Sequence, residues 1–597
     1  MITAKDALAA DLAKLTPARV RTASFRELGE LAAKIRQFLI DSTSATGGHI
    51  GANLGTIELS LALHRVFESP EDKIFWDTGH QGYTHKLVTG RADRFRTLNT
   101  LGGMSRFISR AESEHDIIEA SHSGTSISVA LGAAFAKALK GDTRSVVAVI
   151  GDGALSEGLA LEALNHAAVA THTNLIIVLN DNGYAISPGT GALHEYLESL
   201  QAGSDDPERL FTALGFDYIG PVDGHDIEAT VNALERAKDS TQIPFVHVRT
   251  EKGHGWKPAD GHPYRLHFSF PFDPQTGKAR EGTAYVGYQD VAAAVIGAEM
   301  EGDERIVAIT PSTLYATGLE PVFKRFPDRT FDPGMEEQHA LTMTAGLAVE
   351  KFKPIVFFQS TFLQRAFDQL VHDVCFGNVP VLILSIRSGF AGYDNPTHHG
   401  IYDFAYWRGV PNLRVLYPKD RHEVERMVRD ELRGLAAPTL IAMPYGPVDD
   451  VDPSVKDEPA AQFRKPQTVL AGHDLTIITV GHKFKVARDA ADRLRRRGVD
   501  AGLVNLRYLK PLPEEPLAEI LSRAPRVVSI EEGVLDGGVG SAIAAFVADR
   551  KLKIEMLRIG LPCAFLAAGA QSELCRLHGL DVDGLLQKIR EFWKLDV

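Results

Sequence analysis

The sequence predicts an α/β protein of three domains, each a mostly parallel sheet covered by helices. Short apolar runs of strand length recur along the chain, among them 145–150, 174–180, 244–250, 305–310, 354–359 and 379–386. Between them lie stretches with apolar residues at helical spacing, such as 25–43 and 361–376. This alternation is the pattern of a parallel sheet buried on both faces. Two segments carry neither periodicity and read as linkers: 251–282, rich in Gly, Pro and His, and 446–466, rich in Pro and Asp. They place the domains at 1–285, 286–455 and 465–597.

The totals exclude several function classes. The chain has 597 residues, 44% hydrophobic and 24% charged, an ordinary globular composition. A net charge of −13 argues against nucleic-acid and anionic-membrane partners. The cysteines Cys375, Cys563 and Cys575 are scattered, which fits a reducing compartment and no zinc or disulfide framework. The N-terminus has no signal-like apolar region, and no apolar run reaches membrane-spanning length. The expected location is cytoplasmic.

In the first third, the run SVVAVI passes straight into Gly151-Asp152-Gly153, and NLIIVLN ends in Asn180-Asp181-Asn182. One helical stretch joins them. Open parallel sheets bind ligands outside the carboxyl ends of their strands. Glycine lets backbone come close to a ligand, a helix start suits phosphate, and Asp152 with Asn182 offers hard oxygens to a small divalent cation. Each motif alone reads as a turn; together they predict a metal-diphosphate site. His49 lies in the Gly-rich GGHIG, a loop rather than an apolar helix face. Phe362 and Phe367 alone read as core aromatics, LRRRG (494–498) as a solvated helix face, and GGVGSA (537–542) as the start of a helix.

The stretches TGGHIGANLG (46–55), WDTGHQGYTHK (76–86), IGPVDGHD (219–226), GMEEQHA (334–340), STFLQRAFDQLVHDV (360–374), GYDNPTHHG (392–400) and NLRYLKPLP (505–513) join GDGA and NDN in one ordered series. With them the chain resembles the thiamine-diphosphate enzymes of the transketolase class, most closely the 1-deoxy-D-xylulose-5-phosphate synthase family of isoprenoid biosynthesis. The resemblance implies a homodimeric carboligase using thiamine diphosphate and Mg2+. It would decarboxylate pyruvate and transfer the two-carbon unit to glyceraldehyde 3-phosphate. Asp152, Asn182 and the Tyr184 carbonyl would bind the metal. His80, His122, Ser123, Gly153, Ala154, Asn182 and Trp256 would contact the cofactor. Glu337 would hydrogen-bond its aminopyrimidine and Phe362 stack on it. His49, His267, Asp394 and His398 would face the reacting atoms. Arg387, with Arg365 nearby, would meet the acceptor together with Asp394 and His398. Histidines suit proton transfer near neutral pH, and a guanidinium fork suits a phosphate.

Four departures stand out. Tyr445 occupies the place of a phosphate-binding arginine in the family, Gln359 replaces a tyrosine, Glu157 follows the transketolase pattern, and the segment 183–218 is short. A lost hydrogen bond to a charged group costs roughly 1.5–3 kcal/mol, about ten- to a hundred-fold in acceptor affinity, unless Lys419, His399 or Arg408 compensates. The alternatives are ketol transfer from a sugar donor, a synthase paralogue with another acceptor, and a non-catalytic cofactor-binding protein.

Overall fold

The computed structural model describes residues 4–201, 209–282 and 285–595. Two compact units emerge, the first spanning 1–284 with 334–336, the second 285–333 with 337–597.

The first unit is built on five parallel strands, β1 (Lys73–Trp76), β2 (Val146–Gly151), β3 (Leu175–Asp181), β4 (Asp217–Asp223) and β5 (Pro244–Arg249), in the order β1-β2-β3-β5-β4. The apolar runs serve both faces. Val147, Val149, Ile176 and Val178 enter one core with the helices Phe25–Thr46 and Ile57–Val66. Val146, Ala148, Ile150, Ile177 and Leu179 enter the other with Ser126–Leu139 and Gly158–Ala167. Each fully buried aliphatic side chain contributes about 1.5–3 kcal/mol, which is why these strands carry no polar alternation. A capping box starts helix Phe25–Thr46: Glu27 N donates to Ser24 Oγ at 3.3 Å, and Ser24 N to Glu27 Oε2 at 2.8 Å.

The second unit carries two sheets. One comprises β6 (Ile306–Ile309), β7 (Thr330–Phe331), β8 (Lys353–Gln359), β9 (Leu382–Ser388), β10 (Arg414–Leu416) and β11 (Thr439–Pro444). The other comprises β12 (Gln467–Leu470), β13 (Leu475–Thr479), β14 (Ala501–Asn505), β16 (Arg526–Val534) and β17 (Glu555–Leu561), in the order β12-β14-β13-β16-β17. Between β14 and β16 in the chain, β15 (Tyr508–Lys510) leaves this sheet and pairs antiparallel with β10, on the edge of the other.

Several expectations are corrected. Segment 251–282 is not a surface linker: Trp256, Ala259, Leu266 and Phe272 are buried in the first unit's core. Apolar side chains without periodicity still demand burial, and here an irregular loop supplies it. Likewise Val455 and Phe463 are buried within 446–466. The single helix expected over 361–376 is split into α (Ser360–Leu363), 3-10 (Gln364–Ala366), α (Phe367–Gln369) and π (Leu370–Phe376) turns. The helix after Gly-Asp-Gly is interrupted too, running Asp152–Leu155 and then Gly158–Ala167. Arg495, Arg496 and Arg497 are exposed, as a solvated face requires. The glycines of 537–540 do open a helix, Val539–Asp549; the N–H groups of Val539 and Gly540 donate to the buried Glu531 carboxylate at 2.8 and 2.7 Å. An internal carboxylate occupies the place a phosphate would take.

Candidate active site

In the first unit the carboxyl ends of adjacent strands bring the polar motifs together. Asp77 follows β1 and accepts from Gly124 N at 2.9 Å and Ser126 N at 3.0 Å, which pins the loop of His122 and Ser123 beside the end of β1. Asp152 opens the short helix after β2, with Gly153 and Ala154 in its turn. Gly153 has to be glycine, since a Cβ would lie 2.6 Å from the Ala185 Cβ. Asn182 follows β3; its N–H donates to Asp152 Oδ1 at 3.3 Å, and its Oδ1 accepts from Tyr184 N at 3.2 Å.

The charges here ask for a cation. Asp152 is buried, and burial followed by the neighbouring Asp181 carboxylate pushes its carboxyl upward. Asp181 accepts from His247 Nε2 at 2.8 Å, whose Nδ1 meets the Tyr218 hydroxyl at 2.7 Å. Lys252, two residues beyond Thr250, is buried beside Asp152; burial pulls its ammonium down against the pull of Asp152. It donates to Ala185 O at 2.5 Å and lies 5.5 Å from the Tyr184 ring centroid.

Three histidines far apart in sequence form one cluster. Ring centroids of His49 and His80 are 5.3 Å apart, His80 and His267 5.2 Å, and His49 and His267 5.4 Å. Burial pushes His80 down to about 3, and burial followed by Lys252 and the other histidines pushes His267 well down. Both are neutral at pH 7, and both Nδ1 atoms are buried without a hydrogen-bond partner. Asn53 sets the spacing: its Nδ2 donates to His49 O at 2.8 Å and His80 O at 2.7 Å, while its Oδ1 accepts from Tyr83 N. An antiparallel bridge from Gly48 to Ser269 brings in the segment of His267. Crowded buried carboxylates beside unspent imidazole nitrogens fit a divalent cation and an anionic cofactor.

In the second unit Glu337 is the first residue of helix Glu337–Val349, buried, with Arg365 Nη1 3.9 Å from its Oε2. Phe362 meets His398 edge-on, centroids 5.8 Å apart. Arg387, the penultimate residue of β9, has a φ of 64°, an unusual conformation for a long side chain. Its Nη1 pairs with Asp394, and its guanidinium lies 5.2 Å from the Tyr445 centroid. None of the three groups named as substitutes for the missing arginine is available. Lys419 is buried against Glu423 at 2.8 Å, His399 spends its nitrogens on Ala391 N and Ala567 O, and Arg408 donates to Leu509 O and Gly538 O.

One predicted residue is placed elsewhere. Trp256 packs on Phe272 in the core, and its Nε1 donates to Pro274 O at 3.1 Å, so its one polar atom is already used. His85 belongs to a buried chain through His64 and Asp116. Glu58, His225 and His254 have metal-like spacing, but Arg36 pairs with Glu58 at 2.6 Å and His225 Nε2 accepts from Glu251 N, so the cluster is already satisfied. Lys252, Asp181 and Asn53 were not anticipated. Lys252 lay in a presumed linker, although its place just past β5, on the edge shared with both motifs, was the signal for it.

The family model described as 1-deoxy-D-xylulose-5-phosphate synthase matches residues 13–206 and 204–250. The transketolase pyrimidine-binding domain matches 285–448, and the transketolase C-terminal domain 465–585. The chain is similar to a 1-deoxy-D-xylulose-5-phosphate synthase of Caldanaerobacter subterraneus, 40% identical over 96% of this chain and 98% of that one. It is also similar to 1-deoxy-D-xylulose-5-phosphate synthase 2 of Geobacter sulfurreducens, 42% identical over the same shares. Among solved structures, a transketolase from Leishmania mexicana aligns with 95% of this chain and 97% of its own at 17% identity and a TM-score of 0.44.

Proposed function

The chain belongs to the 1-deoxy-D-xylulose-5-phosphate synthase family, and from that membership we propose that it condenses pyruvate with glyceraldehyde 3-phosphate, releasing CO2 and forming 1-deoxy-D-xylulose 5-phosphate. The observation that carries the chemistry is the buried pair of carboxylates, Asp152 and Asp181, beside neutral His80 and His267. When bound with Mg2+, thiamine diphosphate supplies a carbanion equivalent and an electron sink for decarboxylation.

The side chains do the rest. On the first unit, Asp152, Asn182 and the Tyr184 carbonyl would hold the metal, and His80, His122, Ser123, Gly153 and Ala154 would hold the diphosphate. Lys252 adds positive charge there. His49 and His267 face the substrate oxygens, where they accept and return protons. On the second unit, Glu337 would hold the aminopyrimidine ring through its buried carboxyl, and Phe362 would lie beside that ring. His398 and Asp394 orient the acceptor aldehyde, and Arg387 receives its phosphate. The active species is a homodimer; sedimentation reads its mass.

Purified protein with pyruvate and glyceraldehyde 3-phosphate should release one CO2 per product formed, and only with thiamine diphosphate and Mg2+ both present. Product formed from a ketose donor without CO2 would favour ketol transfer instead.

A further inference from the structure

The loop 389–402, between β9 and helix Asp403–Trp407, carries Asp394 and His398. Its two ends are held by β16 and by the segment that follows β17. Before Asp394, Phe390 N donates to Glu532 Oε1 at 2.8 Å, and Gly569 N donates to Gly392 O at 3.2 Å. After His398, His399 Nδ1 accepts from Ala391 N at 3.0 Å, so Nε2 carries the proton and donates to Ala567 O at 3.1 Å. Tyr402 OH donates to Ala564 O at 2.8 Å, and Val534 N to Ile401 O at 2.8 Å. Phe390 and Ile401 are both buried among Ile477, Phe484, Leu503 and Ile530 of the last domain.

Glu532 is the centre of this grip. It is 1% exposed, and besides Phe390 N it meets His482 Nε2 at 2.9 Å, Lys483, Gln571 and Cys575. One oxygen thus reaches the loop while the other is tethered to its own domain. Gly389 makes the approach possible. Its φ is 88°, and a Cβ would lie 2.6 Å from Glu532 Oε1. A buried carboxylate committed to five partners has one place to sit, so it passes the geometry of its domain to the loop.

We propose that Glu532 is a positioning residue, through which the last domain sets Asp394 and His398 for the acceptor. The proposal rests on the acceptor-binding roles given above to those two residues. Nothing in it needs Glu532 to touch substrate, or to change its protonation.

Two variants test it in the full-length holoenzyme. Glu532→Gln keeps the shape but removes the charge that His482 and Lys483 hold. Gly389→Ala leaves Glu532 intact and pushes on the loop from the other side. Both should raise the KM for glyceraldehyde 3-phosphate by about ten- to a hundred-fold, the range that a displacement near 1 Å produces. The pyruvate KM and the affinity for thiamine diphosphate should stay at the parent values. Hydrogen exchange of peptides spanning 389–402 should rise in both, while peptides of β13 and β14 stay protected. An unchanged acceptor KM in both variants overturns the proposal, and so does an equal loss of cofactor affinity, which would mark general damage. Asp394→Asn and His398→Ala serve as controls: should neither alter acceptor kinetics, the acceptor-site reading fails, while hydrogen exchange still decides whether Glu532 holds the loop.

Discussion

The guanidinium of Arg387 lies over the ring of Tyr445, 5.2 Å from its centroid, while its charge is met by Asp394. In the proposed acceptor site, this ring stands where the family resemblance implies a second phosphate-binding cation. Such a ring orients a guanidinium without adding charge.

Tyr445→Arg should therefore lower the KM for glyceraldehyde 3-phosphate by roughly ten-fold, the worth of one charged hydrogen bond. The KM for unphosphorylated glyceraldehyde should not move. Steady-state kinetics with the two acceptors provides the check; a parallel change in both would disprove the phosphate assignment.

Glu337→Gln retains size and hydrogen-bonding but cannot cycle a proton. The expected result is a kcat lower by at least about a hundred-fold, with thiamine-diphosphate affinity close to that of the parent. Fluorescence titration gives the affinity and product formation the rate. An unaltered kcat would remove Glu337 from the chemistry.

His80 gives a pH prediction. Burial holds it down to about 3, so it stays neutral in the fold, whereas the unfolded chain protonates it near pH 6.5. Below that pH the unfolded state binds more protons, and stability falls as pH falls. His80→Gln removes this contribution. Between pH 7 and 5 the variant should lose about 2 kcal/mol less than the parent, within a scatter set by its other buried groups. Urea unfolding at the two pH values decides; equal losses would mean that His80 is not held neutral.

Much of the architecture was legible because parallel strands buried on both faces leave uninterrupted apolar runs, as at Val146–Ile150. The ends of those runs pointed to Asp152 and Asn182, which the structure brings into contact. Residues that act through shape were not legible. His49, His80 and His267 meet only after loops from three places close on one another, and no local pattern in 251–282 announces that its aromatics are core. Trp256 was misplaced for the same reason: inside an aperiodic segment, an aromatic facing a ligand and one facing the core look alike. Lys252 lies in the same aperiodic segment, and only the fold, just past β5, sets it next to a buried carboxylate.

The arm Tyr508–Lys510 crosses from one sheet to complete the other. Severing the chain within 446–466 would thus not liberate two autonomous modules. The upstream fragment would be left with a raw edge at β10, and the downstream fragment with a dangling ribbon in search of one. Co-expressed, the halves have a built-in means of finding each other, and any recombination event that exchanged the C-terminal piece would have had to keep that handshake compatible.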